Sequence, residues 1–256
     1  MKNHLSQLTR AYQSYRVAIR NRPVFRLLSY IPWVLVVTYL LLLCFPQVIY
    51  GNEMSYKNMT ISSRGPVDES IHTVLDRVEV RLAASPLNTP EVRPRIVLTG
   101  NSRHYAMLSL YVGGNSFGKG FAMLPTQNVF INRADYESDL VFRNAKENNQ
   151  RSLSGVIAHE ITHLLIRKRF GYLRNLTMPA WKKEGYAEYV GGGSTLSYET
   201  GVKLWKANPK DATGYQYFKY MMLVKYLLET DKISVDDLFN RDFDVQVLEE
   251  RVLKSL

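Results

Sequence analysis

Apolar residues fall into three regimes along the chain, and each predicts a different kind of element. Leu27 to Asn52 contains no charged residue, and Ile31 to Phe45 is almost continuously apolar. A helix needs about 20 such residues to cross the hydrocarbon core of a bilayer. Residues 27–50 are therefore expected to form one transmembrane helix, with Tyr30 and Trp33 at one interface and Tyr50 at the other, where amphipathic rings settle. Residues 51–66 are polar, with Gly, Asn, Ser and Pro, and are expected to be a linker. A mixed regime follows. Ile71, Val74, Leu75, Val78 and Leu82 recur at helical spacing. Pro86 and Pro90 then break the chain before a short strand over residues 95–99. Residues 103–112 lean to a helix ended by Gly113 and Gly114. Residues 121–124 and 129–132, either side of Pro125-Thr126-Gln127-Asn128, predict a hairpin. From Ser152 the pattern is almost wholly helical. One helix runs to about Phe170 with Gly171 as its stop, and another runs from near Pro179, after Thr177, to Gly191-Gly192-Gly193. Residues 215–230 and 245–253 supply two more. The sum is one α+β domain over residues 67–256, a small sheet followed by helices.

Charge changes the reading of the N-terminus. The chain of 256 residues carries a net charge of +10, but residues 1–26 hold Lys2, Arg10, Arg16, Arg20, Arg22 and Arg26 with no acidic residue. The rest of the chain has a surplus of only +4, and no later stretch interleaves basic and aromatic residues into a nucleic-acid surface. A cleavable signal peptide and a buried core helix compete with the anchor. The uncharged stretch is long for a signal peptide, and no alanine occurs between Ala18 and Ala83 to build a cleavage site. Leu41-Leu42-Leu43-Cys44 lacks the small residues that precede a lipidated cysteine. Basic residues ahead of a span stay on the cytoplasmic side, so the domain is expected to face outward, in a bacterium the periplasm or exterior. Cys44 is the only cysteine, which excludes an intramolecular disulfide and any cysteine-based metal site or thiol nucleophile in the domain.

The candidate chemistry lies at His159-Glu160-Ile161-Thr162-His163. Residues four apart share a helix face, so the two imidazoles can aim at one zinc ion. Glu160 is placed to take a proton from a metal-activated water and pass it to a leaving group. Five histidines in the chain make a chance match rare, and the flanks Val156-Ile157-Ala158 and Leu164-Leu165-Ile166 put the helix in the core, where its polar groups need partners. The ordinary alternative is a helix with solvated histidines. A catalytic zinc commonly takes a third protein ligand, expected further on.

Eighteen residues after His163 comes Trp181-Lys182-Lys183-Glu184-Gly185-Tyr186-Ala187-Glu188-Tyr189. Together with the first motif, this resembles the gluzincin metallopeptidases, whose second motif often reads Trp-x-x-Glu-Gly-x-Ala. The longer form from Pro179 to Tyr189 is similar to their small "peptidase MA-like" branch. The motifs cover roughly residues 120–230. The resemblance implies a single zincin-like domain, one zinc held by His159, His163 and Glu184, Glu160 as general base, and a peptide or protein as substrate. Glu188, one turn beyond Glu184, is a candidate to accept the far N–H of a zinc-bound histidine, with the role of ligand or a plain surface position as alternatives. In related aminopeptidases the catalytic tyrosine stands nine residues before the tyrosine of a Tyr-Leu pair. Here Tyr226-Leu227 selects Tyr217 as donor to an oxyanion, followed by Tyr215 and Tyr220. The strand with Gly120-Phe121-Ala122-Met123 resembles the edge strand on which such enzymes lay an extended peptide, though any hairpin strand would look similar. The Gly-Ala-Met-Glu-Asn motif of full-length aminopeptidases is absent, so no acidic anchor for a substrate N-terminus is identified. Gly185 would let another backbone approach, Arg167-Lys168-Arg169 reads as cations at a helix C-terminus, and His72 and His104 show no partner pattern. Two alternatives stay open: hydrolysis of a non-peptide amide such as one in cell-wall material, and a zinc-binding regulatory module with little turnover.

Overall fold

The computed structural model describes residues 12–14, 23–112, 119–123, 125–142, 150–207 and 214–256, and the chain divides into two units, Met1–Phe45 and Pro46–Leu256. In the first, the apolar run is one helix, α1 (Pro23–Cys44). Its 22 residues extend about 33 Å at ~1.5 Å each, enough for a hydrocarbon core of about 30 Å. Among the described residues it is the one helix long and apolar enough to cross a membrane. Leu27 and Trp33 are each 71% exposed. Lys2, Arg10, Arg16, Arg20 and Arg22, and the side chain of Arg26, lie outside the described residues. The helix stops at Cys44, short of the expected end near Tyr50. Pro46 has no N–H to continue it and disfavours helical geometry at Phe45. A 3-10 turn (Pro46–Val48) follows, and Tyr50, expected at a membrane interface, is buried.

The second unit is built on a five-stranded sheet of order β1-β2-β3-β5-β4. Its strands are β1 (Asn52–Tyr56), β2 (Met59–Ser63), β3 (Arg95–Leu98), β4 (Gly120–Met123) and β5 (Asn128–Ile131). Residues 51–66, expected as a linker, are thus a hairpin: β1 pairs antiparallel with β2 around Lys57, which takes φ 52°. The strands alternate weakly, with Met54, Tyr56, Met59 and Ile61 among serines and threonines, and no Gly marks the turn. β2, β3 and β5 are parallel, and β4 closes the edge as the expected antiparallel partner of β5. The register gathers Asn52, Ser63, Leu98, Ile131 and Gly120 at one end of the sheet. The crossover from β2 to β3 is α2 (Ile71–Ala83), which buries Ile71, Val74, Leu75, Val78 and Leu82, the stripe read from spacing. From β3 the chain enters α3 (Ser102–Leu108) and a 3-10 turn (Ser109–Val112). Gly113, Gly114 and Leu124 lie outside the described residues.

A second sheet of β6 (Ala134–Asp135), β7 (Leu140–Phe142) and β8 (Gln150–Ser152) was not foreseen, because runs of two or three residues carry no readable alternation. It delivers the chain into α4 (Leu153–Phe170). Ser152 caps this helix by accepting from Gly155 N, and the buried Asp139 carboxylate accepts from Ser154 N at 2.7 Å and Ser154 Oγ at 2.8 Å. A carboxylate there also complements the helix dipole. Gly171, at φ 84°, ends the helix as expected. α4 is buried on nearly every side, packed against β4, β5, β7, β8 and α2, and against α6 (Ala180–Val190). Truncating a core member such as Ile157 or Leu165 to alanine should cost ~2–5 kcal/mol. α5 (Tyr172–Thr177), α7 (Tyr198–Ala207), α8 (Tyr215–Glu229), α9 (Val235–Asn240) and α10 (Val245–Ser255) complete a mixed α+β unit. α5, α7 and α9 are additional to the helices read from the pattern.

Candidate metal centre

The face of α4 turned toward α6 carries the two histidines, and α6 returns a carboxylate to meet them. His159 Nε2 and His163 Nε2 lie 3.2 Å apart, and Glu184 Oε2 is 3.5 Å from each. Among the described residues these three form the group that could hold a metal ion. Close helix packing produces the convergence. A Cβ at Gly185 would stand 2.4 Å from Tyr220 O, so only glycine lets α8 press against α6 there. Cβ atoms at Gly155 and Gly191 would each meet the other residue's carbonyl at 2.8 Å, so this pair sets the spacing of α4 from the end of α6.

Electrostatics bind the three donors together. Burial lowers the affinity of His163 for a proton, but the charge and hydrogen bonding of Glu184 outweigh it and raise the pKa to about 9. Glu184 is held far below the usual carboxylate range: burial opposes ionisation, and the charges and hydrogen bonds of His163 and His159 prevail. Glu160, 8% exposed, is pushed up by burial against the pull of the two histidines. Its side chain lies beside the edge strand. A Cβ on Gly120 would sit 3.1 Å from Glu160 Cγ and 3.0 Å from Val156 Cγ1, so the glycine brings β4 against the motif helix.

Behind the donors, Glu188 is 2% exposed, with Oε1 3.5 Å from His159 Nδ1. That ring nitrogen is buried and makes no hydrogen bond. Glu188 is therefore no surface residue, and its carboxylate lies on the far side of His159 from the donor group. Arg151, in the middle of β8, grips it with both Nη atoms, Nη1 to Oε1 at 2.9 Å and Nη2 to Oε2, and Nη2 also donates to Gly193 O. Nothing in the spacing pointed to Arg151, which meets Glu188 only through tertiary folding.

The tyrosines separate cleanly. Tyr217, in the first turn of α8, is 45% exposed as a whole, and its pKa is raised to about 12, first by desolvation and then by the charges of Glu184, Glu160 and Glu188. Tyr215 instead feels Glu249, and Tyr220 accepts a hydrogen bond from Gln216 Nε2. Tyr105 of α3, missed in the sequence, is almost fully buried and raised by burial and by the charge of Glu160. Its position between unremarkable neighbours left no signal. The cations ending α4 do more than solvate a helix terminus. Arg167 Nη2 donates to Thr126 O at 2.6 Å, Lys168 pairs with Glu91, and Arg169 pairs with Asp236. His72 stacks on Tyr56 and His104 lies against Arg64, both away from the donor group.

No protein-family model matches the chain, and no curated protein is similar to it.

Proposed function

We propose that this protein is a zinc-dependent metallopeptidase of gluzincin type, with a single zincin-like domain tethered to a membrane by α1 and facing away from the cytoplasm. The observation that carries the reading is the donor triangle. Zinc bonds to nitrogen and oxygen near 2.0–2.1 Å, which makes the edges of a tetrahedral donor set about 3.3–3.4 Å. The observed edges are 3.2, 3.5 and 3.5 Å, with two neutral-capable imidazoles and one carboxylate as donors. His159, His163 and Glu184 would hold the ion, and the unpaired Nδ1 of His159 behind it faces a carboxylate that can fix the tautomer.

Bound zinc would supply Lewis acidity toward the substrate carbonyl and lower the pKa of an attacking water. The chain's own groups do the rest. Glu160 follows the first ligand directly and has its pKa raised by burial, the direction that suits a base that accepts the water's proton and returns it to the leaving amine. Tyr217 keeps its proton to about pH 12, so its hydroxyl can donate to the tetrahedral oxyanion. The outer edge of β4, which has no partner strand among the described residues, offers backbone N–H and C=O groups to an extended peptide beside Glu160. This favours a peptide over other amides. The basic residues before α1 support the outward orientation.

Metal content and proteolysis of the full chain test the reading together. The purified protein should hold one zinc per chain. Glu160→Gln should retain it while turnover falls at least ~100-fold, the usual scale for loss of a general base. Full activity in that variant, or no zinc in the parent, refutes the proposal.

A further inference from the structure

An apolar surface outside the metal centre is unaccounted for. Met107 on α3 and Leu110 and Val112 in the following 3-10 turn are exposed at 66%, 63% and 43%. Arg103, Met107 and Leu110 follow at intervals of four and three residues and so share one face, and Arg103 is also exposed. The surrounding sequence is one-sided in charge. Between Glu91 and Asp135 there is no acidic residue, while Arg93, Arg95, Arg103, Lys119 and Arg133 are all basic. Of these, Arg93 and Arg95 lie at the opposite end of β3, with Arg95 paired to Glu53, whereas Arg103 on the patch and Arg64 against His104 are exposed cations at this end. Cations beside exposed aliphatic side chains match the chemistry of an anionic lipid surface.

The topology places this surface. β3 runs toward the end of the sheet where Asn52 begins β1, and α3 starts just beyond that end. Asn52 Nδ2 donates to Arg64 O at 2.7 Å, and Arg64 Nη1 lies 3.2 Å from His104 Nε2 of α3, so α3 sits where the chain enters the second unit. Val48, at that entry, is 76% exposed. The metal centre belongs to the same end, because Gly120 of the edge strand abuts Glu160 and Tyr105 of α3 feels the charge of Glu160. The entry is covalently tied to the apolar helix: α1 ends at Cys44 and the second unit begins at Pro46.

We infer that Arg103, Met107, Leu110 and Val112, with Val48, form a second membrane contact that rests this end of the domain on an anionic bilayer surface. The inference rests on α1 spanning that bilayer. A patch of a few aliphatic side chains binds lipid weakly by itself. A tether one residue long supplies the effective concentration that makes weak contact persistent. The metal centre then opens beside the lipid headgroups, and the substrates in reach are polypeptides close to their own membrane spans. A soluble partner protein is the competing occupant of the same surface.

The test uses the full chain with Cys44→Ser in nanodiscs of phosphatidylcholine and phosphatidylglycerol. Single cysteines carry nitroxide labels in separate variants, Leu110→Cys, Met107→Cys, Val80→Cys and Val36→Cys. Collision with dissolved oxygen is compared with collision with a water-soluble nickel chelate. Val36, within α1, reports the anchor. Val80, 73% exposed on α2, reports water. The oxygen-to-nickel ratio at Leu110 and Met107 should exceed that at Val80 several-fold, and the difference should shrink in discs of phosphatidylcholine alone. A label at Val36 in hydrocarbon with Leu110 and Met107 as open to nickel as Val80 overturns the inference while leaving the anchor intact, and assigns the surface to a protein. A label at Val36 open to nickel removes the anchor and the inference with it.

Discussion

Two clusters of polar side chains sit on α4, and they are constructed in opposite ways. At the C-terminal end, Lys168 and Arg169 reach into solvent beside a groove of about 660 Å³ whose lining includes Leu87, Leu165 and Ile233. Both cations are answered there, Lys168 by Glu91 and Arg169 by Asp236 at 2.7 Å. In the middle of the same helix, two ring nitrogens face one another at 3.2 Å, a third is buried without a hydrogen bond, and Glu160 is buried. The groove is spacious, yet its charges are satisfied and need no ligand. The metal centre is small, and its donors are left pointing at a common point. A buried polar group without a partner is costly. Ligand-type groups converging on one point, backed by a buried ring nitrogen without a hydrogen bond, therefore mark a site more reliably than the volume of a cavity does.

The contrast can be broken at either cluster, and the expected effects differ by orders of magnitude. On the proposed mechanism Tyr217→Phe removes a transition-state donor but keeps the ring, so kcat should fall ~10²–10³-fold with KM little changed. Tyr215→Phe and Tyr220→Phe should be nearly silent, because Tyr215 feels the charge of Glu249 rather than of the donor group and the Tyr220 hydroxyl accepts from Gln216. A large loss in either control with none in Tyr217→Phe would move the donor to another turn of α8.

Arg151→Ala should weaken zinc affinity by ~10–100-fold, the scale found when a group supporting a ligand is lost. It leaves the carboxylate of Glu188 buried and unmatched behind His159. Competition with a chelator measures the effect. Substituting cobalt and recording its ligand-field spectrum separates altered donor geometry from simple unfolding. Arg151→Lys, which keeps the charge but not the two-pronged grip, should recover part of the affinity. Unchanged affinity and spectrum in Arg151→Ala would show that Glu188 does not position His159.

The smallest effect belongs to the other end of the helix. Arg169→Ala removes an exposed, salt-screened pair and should leave activity and zinc affinity within about twofold of the parent. A strong loss of activity would mean that the groove communicates with the metal centre and that the two clusters are not independent.

Several features were already determined along the chain. Periodicity placed α2, α4, α6, α8 and α10, because each buries a broad apolar surface over several turns and that demand repeats in the residues. The four-residue interval set His159 and His163 on one face, since helix geometry is local. The Trp181–Tyr189 pattern pointed to Glu184 and Glu188 only through family resemblance. Local order could not say which way α6 would approach α4. That was decided by Gly155 and Gly191, where absent side chains let α4 touch the end of α6, while Gly185 does the same between α6 and α8. Likewise the β1–β2 hairpin, the short second sheet, Arg151 behind Glu188 and Tyr105 beside Glu160 had no sequence signature. Their roles depend on pairings between segments far apart in the chain, and strands of two to five residues are stable only once a neighbour satisfies their backbone. The ligands' spacing could be read from one helix, but the partners that hold them come from elsewhere in the chain and are known only after folding.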